Sequence, residues 1–268
     1  MKFKTSDNFE IQYEEANSSL GKNVVFIHGN LASRNWWLPS LELLQDSSGS
    51  HTEKLIAADW RGYGESKGLE AKSDIDFEKF ANDYIELIED KGMTNVNLVG
   101  HSTGGMIAML AILKKPELFA SLVLLDSVGP TGLELPLPKE QVLAHFEKMS
   151  TDRDYCNMVL AATIDGCDVT SSQFKALADQ AFQCDKVMWK GVIEILAEEV
   201  NFSEKMDQIQ LPTLVLHGEK DMTLPVEGSE QIDKMLPNSE FKLLEGQGHS
   251  CNMENPPRFV ELLKDFWC

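Results

Sequence analysis

The chain has 268 residues, 43% of them hydrophobic and 25% charged, enough to bury a full core in one large α/β domain or in a domain with an insert. A net charge of −19, with no Lys/Arg cluster to offset it, argues against nucleic acid, anionic membranes and highly anionic substrates as partners. No apolar run reaches the roughly 18 residues of a membrane span, and the polar N-terminus MKFKTSDNFEIQYEE lacks the apolar stretch of a secretory signal, so a cytoplasmic protein is expected.

In chain order, FEIQYEE (9–15) alternates and suits a hairpin strand near a sheet edge. NVVFIHG (23–29), KLIAAD (54–59), NVNLVG (95–100), SLVLLD (121–126) and PTLVLHG (212–218) are short, dense and rich in β-branched residues, as buried parallel strands are. EFKLLEG (240–246) reads as the last strand. Asp76 to Lys91 carries an apolar stripe at Phe77, Phe80, Ala81, Tyr84, Leu87 and Ile88, which predicts a helix packed on the sheet. Met106 to Leu113 is apolar on every face and is stopped by Lys114, Lys115 and Pro116, the pattern of a buried helix. NPPRFVELLKDFW closes the chain as a helix with prolines at its start.

Residues 131–205 break this alternation. Helices are expected near 139–149, 152–164, 172–183 and 186–199 with no strand between them. The reading is a mostly parallel, doubly wound sheet formed by 1–130 and 206–268, with an all-helical lid at 131–205 over its carboxyl edge. The five cysteines are an odd count without CxxC or metal-like spacing. Cys156, Cys167 and Cys184 fall in one stretch but read as reduced thiols, and neither a metal nor a cofactor is expected.

Ligands of open α/β sheets bind outside the carboxyl ends of the strands, where this chain puts His28, Asp59, Ser102, Asp126 and Asp221. Ser102 stands in G-x-S-x-G, Gly100 to Gly104, between a strand and a helix. A serine hydroxyl needs a base to become a nucleophile. Of six histidines, His249 lies in EGQGHSCNMENPP, a glycine-flanked loop between the last strand and the last helix. His51 and His145 read as surface, His217 as strand interior, and His101 as a shaper of the pocket. The orienting acid is expected to be Asp221 in HGEKDMTLP, with Asp126 as the reserve candidate at the end of its strand. Oxyanion donors are expected from the Thr103 amide and from Asn30, or alternatively Leu31, in HGNLAS. Trp36 and Trp37 suit either a pocket wall or the core. Met149, Met158, Met188 and Trp189 suit either the pocket or the core of the lid.

HGN (28–30), DWRGYGES (59–66), GHSTGG (100–105), HGEKD (217–221) and GQGH (246–249) together resemble the α/β-hydrolase superfamily, in its order and over nearly the whole chain. The resemblance implies Ser102 as nucleophile, Asp221 as acid, His249 as base, Asn30 and Thr103 as oxyanion donors, and a helical lid that selects substrates. A serine at 102 argues against the branches with an aspartate nucleophile, the epoxide hydrolases and haloalkane dehalogenases. The expected activity is hydrolysis of small to medium neutral carboxylic esters through an acyl-enzyme. Lactones, thioesters and carbon–carbon bonds beside a ketone are alternative substrates of such a triad, and a small-molecule receptor is the alternative from another class. Oligomeric state is not legible.

Overall fold

A computed structural model describes residues 1–267. Eight strands form one sheet: β1 (Lys2–Lys4), β2 (Glu10–Asn17), β3 (Val24–Ile27), β4 (Lys54–Ala58), β5 (Val96–His101), β6 (Phe119–Leu125), β7 (Thr213–Gly218) and β8 (Ser239–Leu244). Their order is β1-β2-β4-β3-β5-β6-β7-β8. At one edge β1 pairs antiparallel with β2 and β2 antiparallel with β4, and the remaining pairs are parallel. The chain steps from β3 outward to β4 and then returns to the other side of β3 with β5. The loops after β3 and β5 therefore flank the crevice where such sheets bind ligands.

Alternation along the strands builds two cores. Val25, Ile27, Ile56 and Leu98 face one side, where α2 (Phe77–Asp90) and α3 (Thr103–Lys114) pack. Val24, Phe26, Leu55 and Val99 face the other, against α1 (Leu38–Leu44) and α10 (Pro256–Trp267). Asp76 caps α2 by accepting from the Glu78 and Lys79 amides. α3 is buried from Thr103 to Ile112, as its uniformly apolar sequence requires.

Between β6 and β7 lie α4 (Lys139–Thr151), α5 (Arg153–Ala161), α6 (Ser172–Phe182) and α7 (Met188–Glu198), with no strand among them. Polar contacts tie this helical segment to the sheet's carboxyl edge. Ser33 Oγ donates to Gln180 Oε1 at 2.6 Å, and Asp185 Oδ2 accepts from the Gly68 and Leu69 amides, each at 2.7 Å. α8 (Val226–Met235) follows β7, and the single turn α9 (Cys251–Glu254) precedes α10. Cys156, Cys167, Cys184 and Cys251 are unpaired thiols, and Cys268 lies outside the described residues. No helix among the described residues is long and apolar enough to cross a membrane.

Candidate active site

Ser102 occupies the turn between β5 and α3 with φ 53° and ψ −123°, a backbone region that side-chain-bearing residues rarely adopt. Three glycines make the turn possible. A Cβ on Gly100 would come within 2.6 Å of Gly104 O and 2.7 Å of Gly105 N. One on Gly104 would overlap the Ile27 and His28 carbonyls, and one on Gly29 would sit 2.9 Å from Ser102 Cβ. The G-x-S-x-G spacing thus lets β3, β5 and α3 close around the serine. Gly104→Ala is expected to cost about 3 kcal/mol or more, because its clash is with backbone that cannot rotate away; a chemical-denaturation midpoint unchanged from wild type would contradict this.

His249 Nδ1 lies 2.7 Å from Asp221 Oδ2, which leaves Nε2 as the other ring nitrogen. Asp221 Oδ1 accepts from the Thr223 and Leu224 amides at 2.6 and 3.1 Å. Burial works against its charge, but the His249 hydrogen bond and the two amides outweigh it and hold the carboxyl below its usual range. Ser102 and His249 line one cavity of about 390 Å³, together with Asn30, Leu31, Ala32, Trp36 and His101 from the sheet side. The helical segment supplies the opposite wall, including Phe146, Met149, Val159 and Leu160. A hydroxyl and an imidazole on one mostly apolar cavity, with a carboxylate behind the imidazole, form an arrangement able to move a proton off the hydroxyl.

Among the described residues, neither the Thr103 nor the Asn30 amide has a hydrogen-bond partner, and Thr103 opens α3. The Tyr63 hydroxyl donates to Asn30 Oδ1, so Tyr63, fully buried, braces the loop after β3. Leu31 in the same loop has φ 54°.

Asp126, fully buried at the end of β6, also has a positive φ of 45°. Its Oδ1 accepts from the Gly218 amide at 2.8 Å, while Oδ2 has no partner. Burial, and then the charge of Asp221, raise this carboxyl well above its usual range. His217 Nδ1 shares a 2.9 Å hydrogen bond with Ser229 Oγ, and burial lowers its pKa. The sequence spacing holds no metal-ligand set, yet the fold brings His101, Asp126 and His249, and likewise Asp126, His217 and Asp221, within 4.8 Å of one another. Each of these side chains makes at least one hydrogen bond to a protein group, while His101 Nδ1 and Asp126 Oδ2 have no partner.

His101 donates from Nε2 to the His249 carbonyl at 2.8 Å, and burial drives its pKa down to about 3, so it is neutral with Nδ1 bare. Trp36 stacks on it and lines the cavity, whereas Trp37 is core, packed on Phe26 and Phe259. His28 braces the β3 loop: Trp60 Nε1 donates to its carbonyl at 2.9 Å. Asp59 accepts from the Arg34 amide, the Arg34 guanidinium and the Glu65 amide, which gives DWRGYGES a scaffold role. His145 departs from its surface expectation. It is half-buried, lines the cavity, and shares a 2.8 Å hydrogen bond with Tyr155 Oη. Of the pocket or lid-core candidates only Met149 reaches the cavity; Met158 is exposed, and Met188 and Trp189 are core.

A family model described as "alpha/beta hydrolase fold" matches residues 22–256. Monoacylglycerol lipase ABHD6 of Bos taurus is 27% identical over 260 residues, covering 91% of this chain and 74% of its own. Non-heme chloroperoxidase CPO-A1 of Kitasatospora aureofaciens is 29% identical over 262 residues, covering 93% and 92%. The solved esterase EaEST of Exiguobacterium antarcticum superposes with a TM-score of 0.84 at 23% identity, over 99% of this chain and 98% of that one.

Proposed function

The chain belongs to the α/β-hydrolase family, and from that premise we propose that it is a serine hydrolase cleaving small to medium neutral carboxylic esters through an acyl-enzyme. The observation that carries this reading is the His249–Asp221 hydrogen bond beside a cavity that His249 shares with Ser102. Ser102 Oγ attacks the ester carbonyl while His249 Nε2 takes its proton. The tetrahedral oxyanion is held by the Thr103 and Asn30 amides, the first strengthened by the N-terminus of α3. His249 returns the proton to the departing alcohol, and water then releases the acid by the same steps in reverse. Asp221, held anionic, keeps the imidazole in the tautomer that leaves Nε2 bare.

Residues 131–205 act in this reading as the lid that shapes the substrate space. The cavity is at the small end of ligand pockets and mostly apolar, which suits short or medium acyl chains without charge. The test is a panel of p-nitrophenyl esters from acetate to dodecanoate. Repeated turnover, greatest for the shorter chains and falling towards dodecanoate, is expected. A folded protein that turns over none of them, or releases a single equivalent and stops, would instead favour another scissile bond or a receptor.

A further inference from the structure

We propose that Glu254 is a positioning residue, its carboxylate fixing the His249 loop and tying it to the helical segment that walls the cavity. This rests on His249 acting as the base. Glu254 Oε2 accepts from the Gly248 amide at 2.7 Å, and Oε1 accepts from the Ser250 amide at 3.1 Å. One carboxylate thus takes the N–H groups immediately before and after His249. The carbonyl of His249 itself accepts from His101, so the backbone on each side of the imidazole is held. The third bond reaches out of the loop: Oε1 also accepts from the Asp165 amide at 3.0 Å, just after α5 and two residues beyond the cavity-lining Thr163.

The same segment is held from the other side. Asp165 Oδ2 pairs with Lys220 Nζ at 2.9 Å, and the Lys220 amide donates to the Gln247 carbonyl at 2.8 Å. Base loop, acid loop and helical segment therefore close a ring around the His249–Asp221 pair, with Glu254 as its most heavily bonded member. Helix capping accounts for only one of its bonds, since Gly248 and Asp165 both lie outside α9. The glycine of GQGH matches this arrangement. A Cβ on Gly248 would stand 2.8 Å from Glu254 Oε1 and 3.2 Å from Asp165 Cβ. Glu254 does not line the cavity, so it bears on the imidazole's placement and not on substrate contact.

The experiment compares wild type with Glu254→Gln and Glu254→Ala in three readouts: kcat and KM for p-nitrophenyl butyrate, the inactivation rate by a fluorophosphonate probe of the serine, and thermal melting. Loosening the base by a fraction of an ångström is expected to lower kcat and the inactivation rate by about 10- to 100-fold, with KM within about threefold. Glutamine, which keeps one acceptor oxygen, is expected to do less harm than alanine, and Glu254→Asp, one methylene short, to fail as a rescue. Folded variants with wild-type kcat, or with a raised KM and unchanged kcat, would overturn the proposal. If the alanine variant does not fold, the glutamine variant decides by the same criteria. A wild type inert to both ester and probe overturns this inference and the hydrolase reading together, whereas an active wild type with equally active variants overturns this inference alone.

Discussion

Ser102→Ala is expected to lower kcat for a chromogenic ester by about 10⁴- to 10⁶-fold, with KM little changed, because in the proposed mechanism the nucleophile acts as a unit with its base and the rest of the unit cannot substitute for it. Retention of more than about one hundredth of the activity would place the reaction elsewhere in the molecule. The same position carries a second expectation, opposite in sign. At φ 53° and ψ −123° the serine backbone is strained, a cost of order 1–3 kcal/mol that alanine keeps and glycine relieves. Set against the chain entropy glycine loses on folding, Ser102→Gly should still be more stable than wild type by up to about 1 kcal/mol, read as a higher denaturation midpoint at unchanged slope. A variant at once inactive and more stable would mark Ser102 as a residue held in a costly conformation for what its hydroxyl does.

The strands that build the crevice are legible in the sequence because they are buried on both faces. VVFI and TLVLHG are too apolar and too short for anything but a central strand, and their ends mark the loops that carry chemistry. β1 escapes notice because its three residues, KFK, pair only at the sheet edge and bury little. α1 escapes because seven residues directly after a 3-10 turn are too few to display a helical period. The serine, the histidine and both aspartates are visible, since each stands at a strand end or in a glycine-bounded loop. Their supports are not. Tyr63 on Asn30 and Glu254 on Asp165 are contacts between distant segments, and one chain read alone carries no signal of such pairs. His145 reads as surface because a residue facing a cavity is neither core nor fully exposed. It lies on α4, where Met149 alone is fully buried and the amphipathic pattern is weak.

The two aspartates are where the sequence leaves a choice open, and they should separate sharply. Asp221→Asn is expected to lower kcat by about 10⁴-fold. An amide facing His249 Nδ1 can present its N–H₂ there, which puts the ring proton on Nε2 and removes the base. The amides of Thr223 and Leu224 would still hold the loop, so folding should survive.

Asp126→Asn should change kcat by less than about threefold. Burial and the Asp221 charge raise the Asp126 carboxyl well above its usual range, which favours its protonated form, for which an amide is nearly isosteric. Asparagine also tolerates the positive φ at this position and retains an oxygen for the Gly218 amide. Linkage supplies an independent check. A carboxyl whose pKa is higher folded than unfolded binds a proton in the native state that the unfolded chain has released. Stability through this group is therefore greatest below about pH 4 and declines as pH rises towards the folded pKa. Asp126→Asn removes that decline. Its stability relative to wild type should grow as pH rises above about 4 in paired denaturation curves, while its ester turnover stays near wild type. Should Asp126→Asn instead abolish turnover and Asp221→Asn spare it, the orienting carboxylate would be the one at the end of β6, and the His249–Asp221 bond would be a structural contact.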